Sequence, residues 1–178
     1  MKVVGFAGFS GSGKTTLVEG LIGALKAHGL RVSTVKHAHH NFDIDHPGKD
    51  SHRHRRAGAF EVVVASDRRL ALMREFERPA QLSVHHLIAE LYGGVDWVLV
   101  EGFKSSDLLK IEVWRPSTGH PAMYIDEDFV VAIATDAPAE LPHETLRPVL
   151  DLNQPQAIAA WLVENGDRFE YDERYLSS

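Results

Sequence analysis

Cysteine is missing from this chain of 178 residues. Its absence excludes disulfides, thiolate metal sites and a cysteine nucleophile, and it suits a reducing cytoplasm. Long apolar runs are missing too: none approaches the roughly 18 residues of a membrane span. The N-terminus runs from Met1 through Lys2, Val3, Val4 and Gly5 straight into a strand pattern, without the layout of a signal peptide. An excess of positive charge is also lacking. The net charge of -6 argues against a general nucleic-acid binder. The remaining composition, 44% hydrophobic and 25% charged, is that of a globular domain able to bury a core. These bounds predict one nucleotide-binding domain over residues 1–166 and a polar tail over 167–178.

Against that acidic background stands a basic island. Between Lys36 and Gly58 five Lys/Arg face three Asp, giving +2 locally and leaving -8 for the rest of the chain. Six of the eleven histidines fall there as well. Such an island points to a local anionic ligand, with a solvated mixed-charge loop as the plainer reading.

The apolar pattern predicts a buried strand over Lys2 to Ala7 and a helix over 14–28, with Leu17, Val18, Leu21, Ile22 and Leu25 on one face. Gly20 and Gly23 are expected to let that helix lie close to the sheet. A second strand over Arg31 to Lys36 completes a βαβ unit. Residues 37–49 read as loop, followed by a short helix from Asp50 or Ser51 to about Ala57. Phe60 to Ala65 and Arg69 to Phe76 read as a hairpin at a sheet edge. Further on, the pattern predicts a helix over Pro79 to Tyr92 and strands at Asp96 to Glu101, Lys110 to Arg115 and Val130 to Ala134. A last helix covers Gln154 to Glu164. The fold class is α/β: a P-loop NTPase fold with a mostly parallel twisted sheet, flanking helices and an antiparallel edge extension.

Gly8-Phe9-Ser10-Gly11-Ser12-Gly13-Lys14-Thr15 fills every fixed position of the phosphate-binding pattern, with a strand before it and an amphipathic helix after it. Backbone amides of Ser10, Gly11, Ser12 and Gly13 form a nest for phosphate oxygens, helped by the helix N-terminus. Lys14 reaches the β and γ phosphates, and the Thr15 hydroxyl binds magnesium. Thr16 either adds a hydroxyl to the α phosphate or caps the first turn. A second carboxylate is required at the end of a neighbouring strand. Glu101 follows its apolar run and so lies on the ligand rim of a parallel sheet, whereas Asp96 precedes it. Lys14 and Glu101 are therefore the candidate catalytic groups, and Thr15, Glu101 and the loop residue Asp45 the candidate metal contacts. Asp45 also reads as an ordinary turn residue.

Arg53 and Arg56, spaced i and i+3, share a helix face. With Lys49 they form a candidate clamp for an anionic substrate. The histidines carry no ordered zinc spacing, and His52 and His54 diverge on a helix. Asp136, after a short buried strand, can accept two hydrogen bonds from guanine, or can simply open a turn.

Together these motifs resemble the MobB family of molybdopterin-guanine dinucleotide biosynthesis adaptor proteins. The resemblance rests on Gly5 through Thr16, Val35-Lys36-His37-Ala38-His39-His40, Phe42-Asp43-Ile44-Asp45, Pro47-Gly48-Lys49-Asp50-Ser51 and Arg53-His54-Arg55. It continues through Ala57-Gly58-Ala59, Val98-Leu99-Val100-Glu101-Gly102-Phe103-Lys104, Lys110-Ile111-Glu112 and Ala132 to Asp136. It implies a cytoplasmic, GTP-binding homodimer with Mg2+ and weak GTPase activity. Such a protein assists a molybdopterin guanylyltransferase partner, with molybdopterin as a further ligand and no nucleic acid or membrane. The alternative is a P-loop small-molecule kinase with an Arg-rich lid.

Overall fold

The computed structural model describes residues 1–38 and 42–172. His39 and His40, part of the histidine reading, lie outside the described residues, as does the tail from residue 173. The chain divides into two compact units, one formed by Met1–His37 with the segment from Ser83 onward, the other by Ala38–Leu82.

The first unit is built on a six-stranded sheet in which every pairing is parallel. Its strands are β1 (Lys2–Ala7), β2 (Val32–Lys36), β5 (Trp97–Glu101), β6 (Lys110–Val113), β7 (Val130–Thr135) and β8 (Val149–Asp151), in the spatial order β2-β5-β1-β6-β7-β8. Strands buried on both faces need apolar side chains at consecutive positions, and Val98, Leu99 and Val100 supply them with no exposed surface. The chain first crosses from β1 toward β2 and later passes to β6 on the other side. The strand order therefore reverses at β1, the place where a parallel sheet opens a ligand crevice.

One sheet face carries α1 (Lys14–Ala27) and α4 (Pro155–Glu164), whose Leu17, Leu21, Leu25, Ile158 and Leu162 join Val4, Phe6 and Leu99 in the main core. Gly20 brings the two helices together: a Cβ there would stand 2.8 Å from the Pro155 Cβ. It admits a neighbouring helix rather than the sheet, and a Cβ on Gly23 would meet open space. The opposite face carries α3 (Val84–Ala89), with Val84 and Ile88 packed on Val3, Val35, Val98 and Val100.

Helix α3 is far shorter than the predicted 79–92. Ser83 is its N-cap and accepts the His86 N–H, so residues 79–82 stay outside the helix. Strand β8 was not predicted; three residues are too few for a period to register. The expected tail also differs at its start. Residues Gly166–Phe169 form a 3-10 turn, Phe169 enters the core at 2% exposure, and Glu170 pairs with Lys2 at 2.7 Å.

The second unit contains α2 (Asp50–Arg56), β3 (Glu61–Ala65) and β4 (Leu70–Arg74). The hairpin forms a two-stranded sheet of its own, rather than an edge of the larger sheet.

Candidate functional site

The loop between β1 and α1 stands at the carboxyl end of the central strand. Gly13 is the N-cap of α1 in a left-handed conformation (φ 99°, ψ 12°) that suits glycine. It offers no side chain as a cap. The first-turn N–H groups, which have no intrahelical acceptor, are thereby left for an anion. Lys14 folds over the loop and donates to the carbonyls of Gly8 (2.9 Å) and Phe9 (2.8 Å). Burial pulls its pKa below the usual lysine value; Glu101 opposes the shift and Lys36 adds to it. A partly buried ammonium resting on carbonyl oxygens is well disposed to meet phosphate oxygens.

The Thr15 hydroxyl donates to Glu101 Oε1 at 2.7 Å, and Lys36 Nζ stands 3.3 Å from the same oxygen. The sheet thus brings Thr15 and Glu101 together although 86 positions separate them in sequence. A hydroxyl and a carboxylate in contact are the hard oxygen donors that Mg2+ takes, so these residues fit that ion. Ser12 is buried, and its hydroxyl has no hydrogen-bond partner among the described residues. Ser10, Gly11 and Thr16 are exposed around the loop.

Asp136 follows β7 and lies 3.1 Å, through Oδ2, from Arg115 Nε. A two-oxygen reading of guanine would have to compete with that pair. Arg115 escaped the sequence reading because its signal is tertiary: it follows β6 and reaches Asp136 only across neighbouring strands. Two more polar side chains matter nearby. Lys110 is buried and donates to the carbonyl of Lys104 at 2.9 Å and to that of Ser106. Glu112 is buried and accepts the N–H groups of Met123 (2.7 Å) and Tyr124 (2.8 Å). Burial raises the Glu112 pKa, against the pull of those two N–H groups and of Arg147.

The remaining candidates belong to the second unit. Asp45 is tied locally: Oδ1 accepts the Ser51 hydroxyl and the His46 N–H, both at 2.9 Å, and Oδ2 is 3.3 Å from Arg55 Nε. Arg55 also meets Asp43 at 3.3 Å and Glu75 at 3.1 Å. Lys49, Arg53 and Arg56 are exposed on and beside α2, with Arg53 3.6 Å from Asp50. Among the described residues no group of three or more His, Asp or Glu is placed to hold a metal ion.

Residues 3–136 match the family described as MobB, molybdopterin guanine dinucleotide synthesis protein B. The chain is 40% identical over 164 residues to a molybdopterin-guanine dinucleotide biosynthesis adapter protein of Escherichia coli K12, covering 91% of each. It is 42% identical over 162 residues to one of Haemophilus influenzae, covering 90% of this chain and 86% of that one. The crystal structure of a MobB homologue from Bacillus stearothermophilus aligns with a TM-score of 0.66 at 27% identity, over 94% of this chain and 99% of that one. That of Bacillus subtilis MobB aligns at 0.70 and 23% identity, over 92% and 98%, and supports the P-loop NTPase fold. With its phosphate loop, its parallel sheet and a match spanning most of its length, the chain belongs to the MobB family.

Proposed function

We propose that this protein is a magnesium-dependent GTP-binding adaptor that assists a guanylyltransferase partner in attaching GMP to molybdopterin. The observation that carries the nucleotide reading is the contact of Thr15 with Glu101 beside a phosphate loop whose lysine is desolvated. The relatives named as adapters in molybdopterin-guanine dinucleotide biosynthesis support the pathway.

In this reading the amides of residues 10–16 bind the phosphates, and Lys14 exchanges its carbonyl partners for β and γ oxygens. Thr15 and Glu101 hold the metal, with Lys36 orienting the carboxylate. Bound there, Mg2+ supplies positive charge against the phosphoryl oxygens. No side chain among those around the loop stands out as a strong base for water, which accords with slow turnover. The kinase alternative would form its lid from Arg53, Arg55 and Arg56, and Arg55 is already engaged by three carboxylates.

Lys49, Arg53 and Arg56 remain the proposed contacts for an anionic second ligand, molybdopterin or its phosphate. A homodimer is supported by the hairpin. Val63, Leu70 and Leu72 share one exposed face of a two-stranded sheet, which is marginal by itself. The absence, among the described residues, of a helix long and apolar enough to cross a membrane accords with a cytoplasmic setting.

Calorimetry with GTP and ATP, with and without Mg2+, tests the core of the proposal. Tight, Mg2+-dependent binding of GTP, lost in Lys14→Ala, is expected. Equal affinity for GTP and ATP removes the guanine assignment, and binding unaffected by Lys14→Ala removes the phosphate loop from it. For the dimer, sedimentation is expected to give twice the chain mass, falling to one in Leu70→Glu.

A further inference from the structure

Arg115 and Asp136 step off the carboxyl ends of two adjacent parallel strands. Val113 of β6 pairs with Ala134 of β7, and Trp114 N–H donates to the Ala134 carbonyl at 3.0 Å. Arg115 and Asp136 come two residues after that pair. The Arg115 guanidinium then lies on the phosphate loop. From the position of a Cβ built on Gly13, Cζ is 3.6 Å away, Nη2 3.7 Å and Nη1 3.8 Å. Three nearly equal distances mean that the loop's last glycine sits over the flat face of the guanidinium. Asp136 Oδ2 faces the Nε edge at 3.1 Å, an ion pair in which the buried Nε–H is not aligned for a hydrogen bond. The guanidinium thus has the loop glycine over one face and a carboxylate at one edge, and 31% of the side chain stays accessible. The same connection touches the loop again, where His120 stacks on Phe9 with ring centroids 4.2 Å apart.

The direction of a bound nucleotide follows from where the metal donors stand. Thr15 and Glu101, which would hold the metal, mark the β5 side of β1, so the β and γ phosphates that the metal would serve belong there. The nucleoside hangs from the other end of the phosphate chain, toward β6 and β7, where Arg115 and Asp136 wait. A guanidinium plane is one of the few polar groups that stacks on a purine, and it stacks without regard to which purine it is.

We propose that Arg115, flattened on Gly13 and fastened by Asp136, is the platform on which the nucleobase stacks, and that Asp136 serves chiefly to hold that platform. The inference rests on the phosphate-loop reading. It adds a residue that contacts the base and moves Asp136 from reading guanine to positioning Arg115.

The test measures affinities for GTP, ATP and inorganic tripolyphosphate, each with Mg2+, by calorimetry on the full chain and on Arg115→Ala, Arg115→Lys and Asp136→Asn. Arg115→Ala is expected to weaken GTP and ATP alike by about tenfold and leave tripolyphosphate unchanged. Arg115→Lys, which keeps the charge but not the plate, is expected to behave like Arg115→Ala. Asp136→Asn is expected to give a smaller loss shared by GTP and ATP. Tripolyphosphate weakened as much as GTP, or recovery in Arg115→Lys, makes Arg115 a phosphate contact and overturns the platform. Affinities untouched by Arg115→Ala overturn it as well, as does an Asp136→Asn loss confined to GTP. If the unaltered chain binds neither GTP nor tripolyphosphate, the phosphate-loop reading falls and the platform falls with it.

Discussion

The sheet unit and the 38–82 unit are held together by different physics. In the first, side chains such as Val4, Phe6, Leu21, Leu99 and Ile133 have no exposed surface, and the core is continuous from the sheet to α1 and α4. In the second, among the described residues, Val62 and Met73 are the apolar side chains that become buried, at 8% and 9% exposure, and α2 buries none of its residues. Its centre is an ion cluster instead, with Arg55 at 15% exposure facing Asp43, Asp45 and Glu75. The sheet unit also buries charge, but it places Lys110 on carbonyls and Glu112 on N–H groups rather than pairing the two. Apolar burial stabilises without direction or much sensitivity to salt, whereas an ion cluster needs geometry and is screened. A unit of the second kind is the one expected to change shape or take a partner.

The largest expected effect tests the apolar side of this contrast. Leu99→Ala should destabilise the sheet unit by about 3 kcal/mol in urea unfolding. Val62→Ala should leave that transition in place; an equal loss from both would erase the distinction between the units. Next comes Arg55→Ala, which leaves the nearly buried Asp45 carboxylate without its cation while Asp43 and Glu75 stay solvated. It should lower local stability by about 2 kcal/mol, seen as faster amide exchange over residues 42–76 with the β5 amides unchanged. Faster exchange everywhere, or nowhere, would deny the cluster its role.

Glu112→Gln sharpens the comparison from the other side. One N–H would face an amide NH2 instead of an oxygen, costing about 1 kcal/mol. The pH dependence has a definite sign. A carboxyl whose folded pKa is raised by burial penalises the folded state once it ionises. The native protein should therefore lose stability as pH climbs from the ordinary carboxylate range to the raised value. Glu112→Gln should lack that loss, so its deficit should narrow across the window; a deficit that widens would contradict the shift. The smallest effect is that of salt. Going from about 0.05 to about 0.5 M should loosen the 42–76 amides by a few tenths of a kcal/mol and leave the sheet amides unmoved.

Much of the site could be read before any fold was known. The phosphate loop is a local device, so Gly13, Lys14 and Thr15 declare themselves by spacing. Glu101 was reached by one topological rule, that ligands gather at the carboxyl ends of parallel strands. Arg115 had no such signal, since an arginine after a strand is ordinary until a neighbouring strand delivers Asp136 and the loop delivers Gly13. The helix expected over 79–92 failed because a serine cap outweighed weak periodicity, and the hairpin's pairing partner was beyond reach because both strands read equally well at an edge or apart. Phe169 looked like part of a tail because a single aromatic residue in a polar stretch says nothing of the cavity it fills.

By itself the sequence determined what is encoded within a few residues: the strand-loop-helix of the phosphate-loop pattern, the apolar strands that must be buried on both faces, the turns between them. Only the tertiary structure decided which distant groups meet, Thr15 with Glu101, Arg55 with its three carboxylates, Arg115 with Asp136 and Gly13. Backbone preferences and side-chain periodicity act over neighbouring positions. Contacts across strands depend on the order in which the strands pair, and that order is a property of the whole chain.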